Sequence, residues 1–212
     1  MKIAIFGANG TIGQRILKEA LNRGHFVSAI VRDKSKITLT NENLTVVEGN
    51  VIEAESVASA VAGSDAVVSA VGPSENNPGM VIQTAKSLLE GLAKTEVKRL
   101  LIVGGAGSLE VAPNMRLVDA PDFPEAWKPI ALAACEALEV YKSTPTEIDW
   151  VYVSPAALIQ PGERTGNFRV GGDQLLVDEN GESKISAEDF AVAIVDEIEH
   201  PQFKQQRITI AY

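Results

Sequence analysis

Near its amino terminus the chain reads Ile3-Ala4-Ile5-Phe6 and then Gly7-Ala8-Asn9-Gly10-Thr11-Ile12-Gly13. A glycine at every third place, between a strand pattern and a helix pattern, suits a backbone that cradles a pyrophosphate on a helix N-terminus. Gly7 permits the tight turn. Gly10 lets the main chain approach the phosphates, and Gly13 lets the helix pack closely on its strand. Asn9, Thr11 and Ile12 lie on the same stretch of backbone. Glycines alone fit an ordinary strand-to-helix turn; the flanking strand, helix and second strand favour the phosphate.

Other residues able to do chemistry follow later strand patterns. Arg32 comes directly after the second strand, followed by Asp33, Lys34 and Lys36. At this place an acidic residue bonds a ribose 2′-hydroxyl and an arginine accepts a 2′-phosphate, through a guanidinium that can grip phosphate with two bonds. The order favours NADP(H), and Asp33 keeps NAD(H) open; a basic surface loop is the plainer alternative. Asn50, in Gly49-Asn50-Val51, can bond an adenine edge because its amide both donates and accepts, or it can simply serve a turn. Val71-Gly72-Pro73 either brings backbone against a ribose or the pyrophosphate, or ends a strand. Gly104-Gly105-Ala106-Gly107-Ser108-Leu109 ends a fifth strand, and ligands of open α/β sheets bind outside such carboxyl ends. Its glycines leave room for a ring, with Gly105 and Leu109 on the substrate side. Ser108 either donates to a reacting atom or caps the turn.

These positions need a scaffold of alternating strands and helices, the pattern of a parallel sheet with helices on both faces. Strands are expected at 2–6, 26–31, 43–48, 66–71, 99–103, 150–154 and 207–212. Helices are expected at 11–23, 53–62, 80–93, 123–142 and about 187–199, the last capped by Ser186 with acidic residues in its first turn. Ile12, Ile16, Leu17, Ala20 and Leu21 would form the inner face of the first helix. Residues from about 156 to 212 are punctuated by glycine. A hairpin of 167–170 with 174–177 is expected there, in a substrate-side cap belonging to a single domain of residues 1–212. Phe168 in that hairpin either stacks over the slot as a lid or packs on the sheet.

With 212 residues, 45% hydrophobic, the chain can bury a sizeable core. Its net charge of -9 argues against nucleic acid and anionic membranes. One cysteine, Cys135, allows no internal disulfide, and two distant histidines make no recognisable metal site. The apolar start is too short for a signal peptide, and no run approaches the ~20 residues of a membrane span. A cytoplasmic monomer or homodimer is expected.

Taken together, the chain resembles the short-chain dehydrogenase/reductase superfamily in its atypical branch. It is most similar to the bacterial NADH-flavin reductase group, near biliverdin reductase B and, more distantly, NmrA-like proteins. Five stretches carry the resemblance: the Gly7 to Gly13 turn; Asp65 to Gly72; Val103 to Leu109; Asp149-Trp150 with Ser154-Pro155-Ala156; and Ile185 to Ala191. The resemblance implies a Rossmann-like α/β domain, a nicotinamide cofactor, and cofactor contacts from the Ser154-Pro155-Ala156 turn. The superfamily's Tyr and Lys proton-transfer pair is missing: Lys128 and Leu132 align there, and Tyr141 is followed directly by Lys142. Reducing a ketone needs a proton on the developing alkoxide. Hydride transfer to a flavin leaves a delocalised ring that takes its proton from solvent. The expected activity is therefore reduction of free flavin, as substrate and not as bound prosthetic group, or of a similar flat conjugated acceptor. A non-catalytic dinucleotide sensor is the alternative, and an isomerase or epimerase fits less well.

Overall fold

A computed structural model describes all residues 1–212. The first strand, β1 (Lys2–Phe6), leads through the glycine turn into α1 (Thr11–Asn22), and β2 (Phe26–Val31) follows. Next come β3 (Leu44–Glu48), α2 (Ala54–Ala60), β4 (Ala66–Ser69), α3 (Met80–Ala93) and β5 (Arg99–Val103). A small ribbon of β6 (Glu110–Ala112) and β7 (Met115–Arg116) precedes α4 (Lys128–Ser143) and β8 (Asp149–Pro155). The carboxyl-terminal part holds β9 (Leu158–Gln160), β10 (Arg169–Gly171), β11 (Lys184–Ser186), α5 (Ala187–Glu199) and β12 (Gln206–Ala211).

Eight strands form one sheet in the order β10-β12-β8-β5-β4-β1-β2-β3. Every pair is parallel except β10 with β12. This is a Rossmann-like α/β fold, and its strand order reverses between β1 and β4. Ligands of such sheets bind in the crevice at that reversal, outside the carboxyl ends of the strands. Each face is covered by its own apolar layer. Leu17, Ala20, Phe190 and Ile194 of α1 and α5 pack on one face. Val57, Leu88, Leu92 and Leu138 of α2, α3 and α4 pack on the other. Alternation along β4 sends Val68 to the first layer and Val67 to the second. No helix is long and apolar enough to cross a membrane.

Three expectations are corrected. The strand over 66–71 stops at Ser69, because the chain turns away toward Gly72-Pro73. The helix expected from Phe123 begins at Lys128, with a proline in its first turn. Pro124 opens a separate 3-10 turn over Glu125–Trp127, and proline is tolerated only where a helix starts. The hairpin does not form. Residues Arg169–Gly171 pair with Thr209, Ile210 and Ala211 of the last strand. Glu110 instead takes the following segment, donating to the Asp173 carbonyl and accepting from Leu175, each at 2.9 Å.

Candidate functional site

The glycine turn is built for close backbone approach. Gly7 has φ +75, a conformation that L side chains rarely adopt, and a Cβ there would lie 2.6 Å from the Ala70 carbonyl oxygen. A Cβ at Gly13 would lie 2.0 Å from the Gly7 carbonyl oxygen, so the helix sits directly against the turn. Gly10 is different: only the Gly7 oxygen, at 3.3 Å, comes near its missing Cβ. Gly10 is the N-cap of α1, no side chain caps that end, and its first turn carries no acidic residue. The positive end of the helix is therefore not neutralised by its own side chains, which fits a pyrophosphate.

Beside this turn lies a cleft of about 180 Å³ lined by Gly7, Asn9, Gly10, Arg32, Asn50, Val51 and Val71, among others. Seven positions singled out from four separate stretches of sequence thus share one surface. Arg32 is exposed and forms no ion pair. Asp33 is occupied locally, accepting from the Ser35 amide at 3.0 Å and its hydroxyl at 2.7 Å. The Ser35 hydroxyl, then its amide, hold the Asp33 carboxyl below its ordinary range. Asn50 is partly used by its turn, since its amide donates to Glu53 Oε1 at 2.6 Å. Thr11 and Ile12 lie in the first helical turn, outside the lining.

Val71 also belongs to a second, larger cavity of about 390 Å³, which takes in Pro73, Gly104 and Gly105 and is mostly apolar. Its floor is a row across the sheet. Ser69 of β4 pairs with Ile102 of β5, and Ile102 with Tyr152 of β8. Val81 and Thr84 of α3 form one wall, and Ile130, Ala134 and Tyr141 of α4 the opposite one. Phe123 and Trp127 stand at the mouth, with Trp127 57% exposed. The lining contains no Lys, Arg or His, and one acid, the exposed Asp122.

Sequence reasoning missed three groups here. Ser69 and Thr84 are buried, and neither hydroxyl has a partner within the protein. Tyr141, set aside as lacking its lysine, is brought into the cavity by the helix. Its ring tilts against Tyr152 at 6.2 Å between centroids. Burial, and then the neighbouring Tyr152, push its phenol well above the ordinary range, so it keeps its proton. Tyr152 is fully engaged, donating to the Ala134 carbonyl at 3.0 Å and accepting from the Gly105 amide at 3.3 Å. A single hydroxyl on an otherwise apolar face leaves no periodic trace of its own, which is why these positions were not legible.

Other expected site residues are placed elsewhere. Ser108 is not in the lining; its hydroxyl accepts from Arg207 at 3.1 Å, in a cluster that Asp173 completes. Leu109 is fully buried in the core. Phe168 packs on the layer beneath α5 and does not cover the cavity. The glycines after β5 line the larger cavity, and they are also tightly packed from behind. A Cβ at Gly104 would strike the Tyr152 ring at 2.1 Å, and one at Gly105 would press on Ala134 at 3.2 Å. They let the loop pack against β8 and α4. Ser154 and Pro155 continue the strand, opposite Thr209 and Ile210. Ser154 is fully buried and Ala156 1% exposed, and the next residue, Ala157, is the one that lines the cavity.

A family model described as NAD(P)H-binding matches residues 7–201, from the glycine turn to the end of the last helix. The chain belongs to this NAD(P)H-binding family. Its relatives include the uncharacterized protein YwnB of Bacillus subtilis, 41% identical over 99% of this chain and 98% of that one. Among solved structures, a Burkholderia pseudomallei protein provisionally named as exported is 48% identical, with TM-score 0.91 and full coverage of both chains. A provisionally named NADH-flavin reductase from Streptococcus pneumoniae is 35% identical, with TM-score 0.89, over 100% of this chain and 99% of that one. As an NAD(P)H-binding protein, this chain has its glycine turn and its adjoining cleft in the part of the fold that the family shares. Family and neighbours together are oxidoreductase-like.

Proposed function

We propose that the chain is a cytoplasmic NADP(H)-preferring reductase that passes hydride to free flavin or a similar flat conjugated acceptor. The observation that carries this reading is the shared wall at Val71, which joins the phosphate-suited cleft to an apolar cavity. Gly7, Asn9 and Gly10 hold the pyrophosphate, Arg32 the 2′-phosphate, and Asn50 and Val51 the adenine. Val71, Gly72, Pro73 and Gly104 flank the nicotinamide half. When bound, the reduced nicotinamide supplies the hydride. The protein positions the acceptor and excludes water from it. No lysine stands beside Tyr141 in the lining, so its phenol is a neutral hydrogen-bond donor and not half of a proton relay. The Streptococcus neighbour's name supports the acceptor class, and the protein's own net charge supports a small-molecule partner over a polyanion.

Stopped-flow mixing with NADPH or NADH and a panel of flavins and quinones tests the proposal. Oxidation of the cofactor with transfer to a flat acceptor is expected. Tight dinucleotide binding with no turnover on any acceptor would select a non-catalytic redox sensor instead.

A further inference from the structure

Two features of the larger cavity restrict what can enter it. The first is charge: the lining has no cation, and the one ionisable acid, Asp122, stands at its mouth. An acceptor carrying phosphate would meet repulsion with nothing to offset its desolvation. The second is the pair of hydroxyls. Ser69 is 1% exposed and Thr84 3% exposed, both line the cavity, and neither is hydrogen-bonded within the protein. Buried polar groups in native proteins are nearly always satisfied. The surrounding Val81, Ile102, Ala134 and Ala137 side chains cannot do it.

We propose that the ligand of this cavity is an uncharged planar ring whose hydrogen-bonding edge is read by Ser69 and Thr84. The proposal rests on the reductase reading and narrows its acceptor. A hydroxyl both donates and accepts, so the pair suits a ring edge bearing carbonyl groups, with or without ring N–H groups between them. Dephosphorylated flavin and simple quinones share that chemistry. Flavin mononucleotide has the same edge but adds a dianion for which this lining offers no counter-charge.

The test is equilibrium binding, which needs no turnover. Quenching of riboflavin and flavin mononucleotide fluorescence is titrated with the protein in saturating NADP⁺, and menadione is measured by competition. Riboflavin or menadione should bind at least ~10-fold more tightly than flavin mononucleotide. Ser69→Ala and Thr84→Val should each weaken the preferred ring roughly 10-fold, the scale of one lost hydrogen bond in a dry site. Thr84→Ser should retain binding. Dinucleotide affinity and melting temperature should be unchanged in all three variants. Equal binding of the phosphorylated flavin, no effect of either substitution, or failure of both neutral rings to bind would overturn the proposal. If a neutral ring binds in the expected way but NADPH never reduces it, the reductase reading falls and the binding site stands.

Discussion

Individual glycines in the first turn play separable parts. Gly10 has an ordinary φ of -77, and a Cβ there would meet only the Gly7 carbonyl oxygen, at 3.3 Å. Gly10→Val should leave a folded protein that no longer binds dinucleotide, checked by calorimetry and circular dichroism. Gly13→Ala forces a methyl into the Gly7 carbonyl and should lower stability by roughly 1–3 kcal/mol, the cost of overpacking a tight contact. A denaturant melt reads that loss. Arg32→Ala should weaken NADPH roughly tenfold or more and leave NADH nearly unchanged, because the guanidinium has no other partner. Equal losses for the two would remove the 2′-phosphate assignment. Tyr141→Phe should leave the rate of flavin reduction within a few-fold. A loss of ~100-fold, the scale of a deleted general acid, would mean that the buried phenol gives up its proton after all.

Among the elements, the segment 162–166 depends on carboxylates of two helices. Arg164 grips Glu19 of α1 through two bonds, at 2.7 and 2.8 Å. The Gly162 amide donates to Glu188 at 2.7 Å, and Arg15 of α1 binds the same carboxylate at 2.6 Å. Asp189 accepts from Thr165 at 2.6 Å, the Gly166 amide at 2.7 Å and Tyr212 at 2.8 Å. Arg164 is the largest influence holding Glu19 below its ordinary range. For Glu188 and Asp189 burial is the largest single influence and raises the carboxyl, but their hydrogen bonds together outweigh it and leave both lowered. A carboxyl whose folded pKa is depressed stabilises the fold above its unfolded pKa, and that contribution is lost as pH falls through the folded value. The attachment should therefore be intact at neutral pH and weaken below about pH 4. Protection of the amides of residues 162–166 from hydrogen exchange, taken relative to the intrinsic rate at each pH, should fall there before that of the sheet. Protection that stays constant, or that is greater in acid than at neutral pH, would contradict this.

The spans of β1, β2, α3 and β5 match expectation residue for residue, because apolar runs and glycine stops are local signals. The pair β9 and β11 was not foreseen: each has three residues, and their pairing joins Leu158 to Lys184. The geometry of the glycine turn was legible because glycine spacing reports backbone conformation. The packing of the loop after β5 was not, because Gly104 answers to Tyr152 and Gly105 to Ala134, partners remote in sequence.

For the whole molecule, eight strands put two apolar layers and one crevice in a single sheet, with the cleft and the cavity meeting at Val71, two residues past β4. Val71 is a party wall. A ligand that shifts it on one side changes the surface met on the other, and such an effect has to be reciprocal. If a neutral flavin tightens the hold on NADP⁺ by some factor, NADP⁺ must tighten the hold on that flavin by the same factor. Calorimetric titration of each ligand, with and without saturation by the other, should give equal ratios different from one. Shortening the side chain with Val71→Ala should bring both ratios toward one together. The dimensions of one valine would then set how strongly each bound molecule holds the other in place.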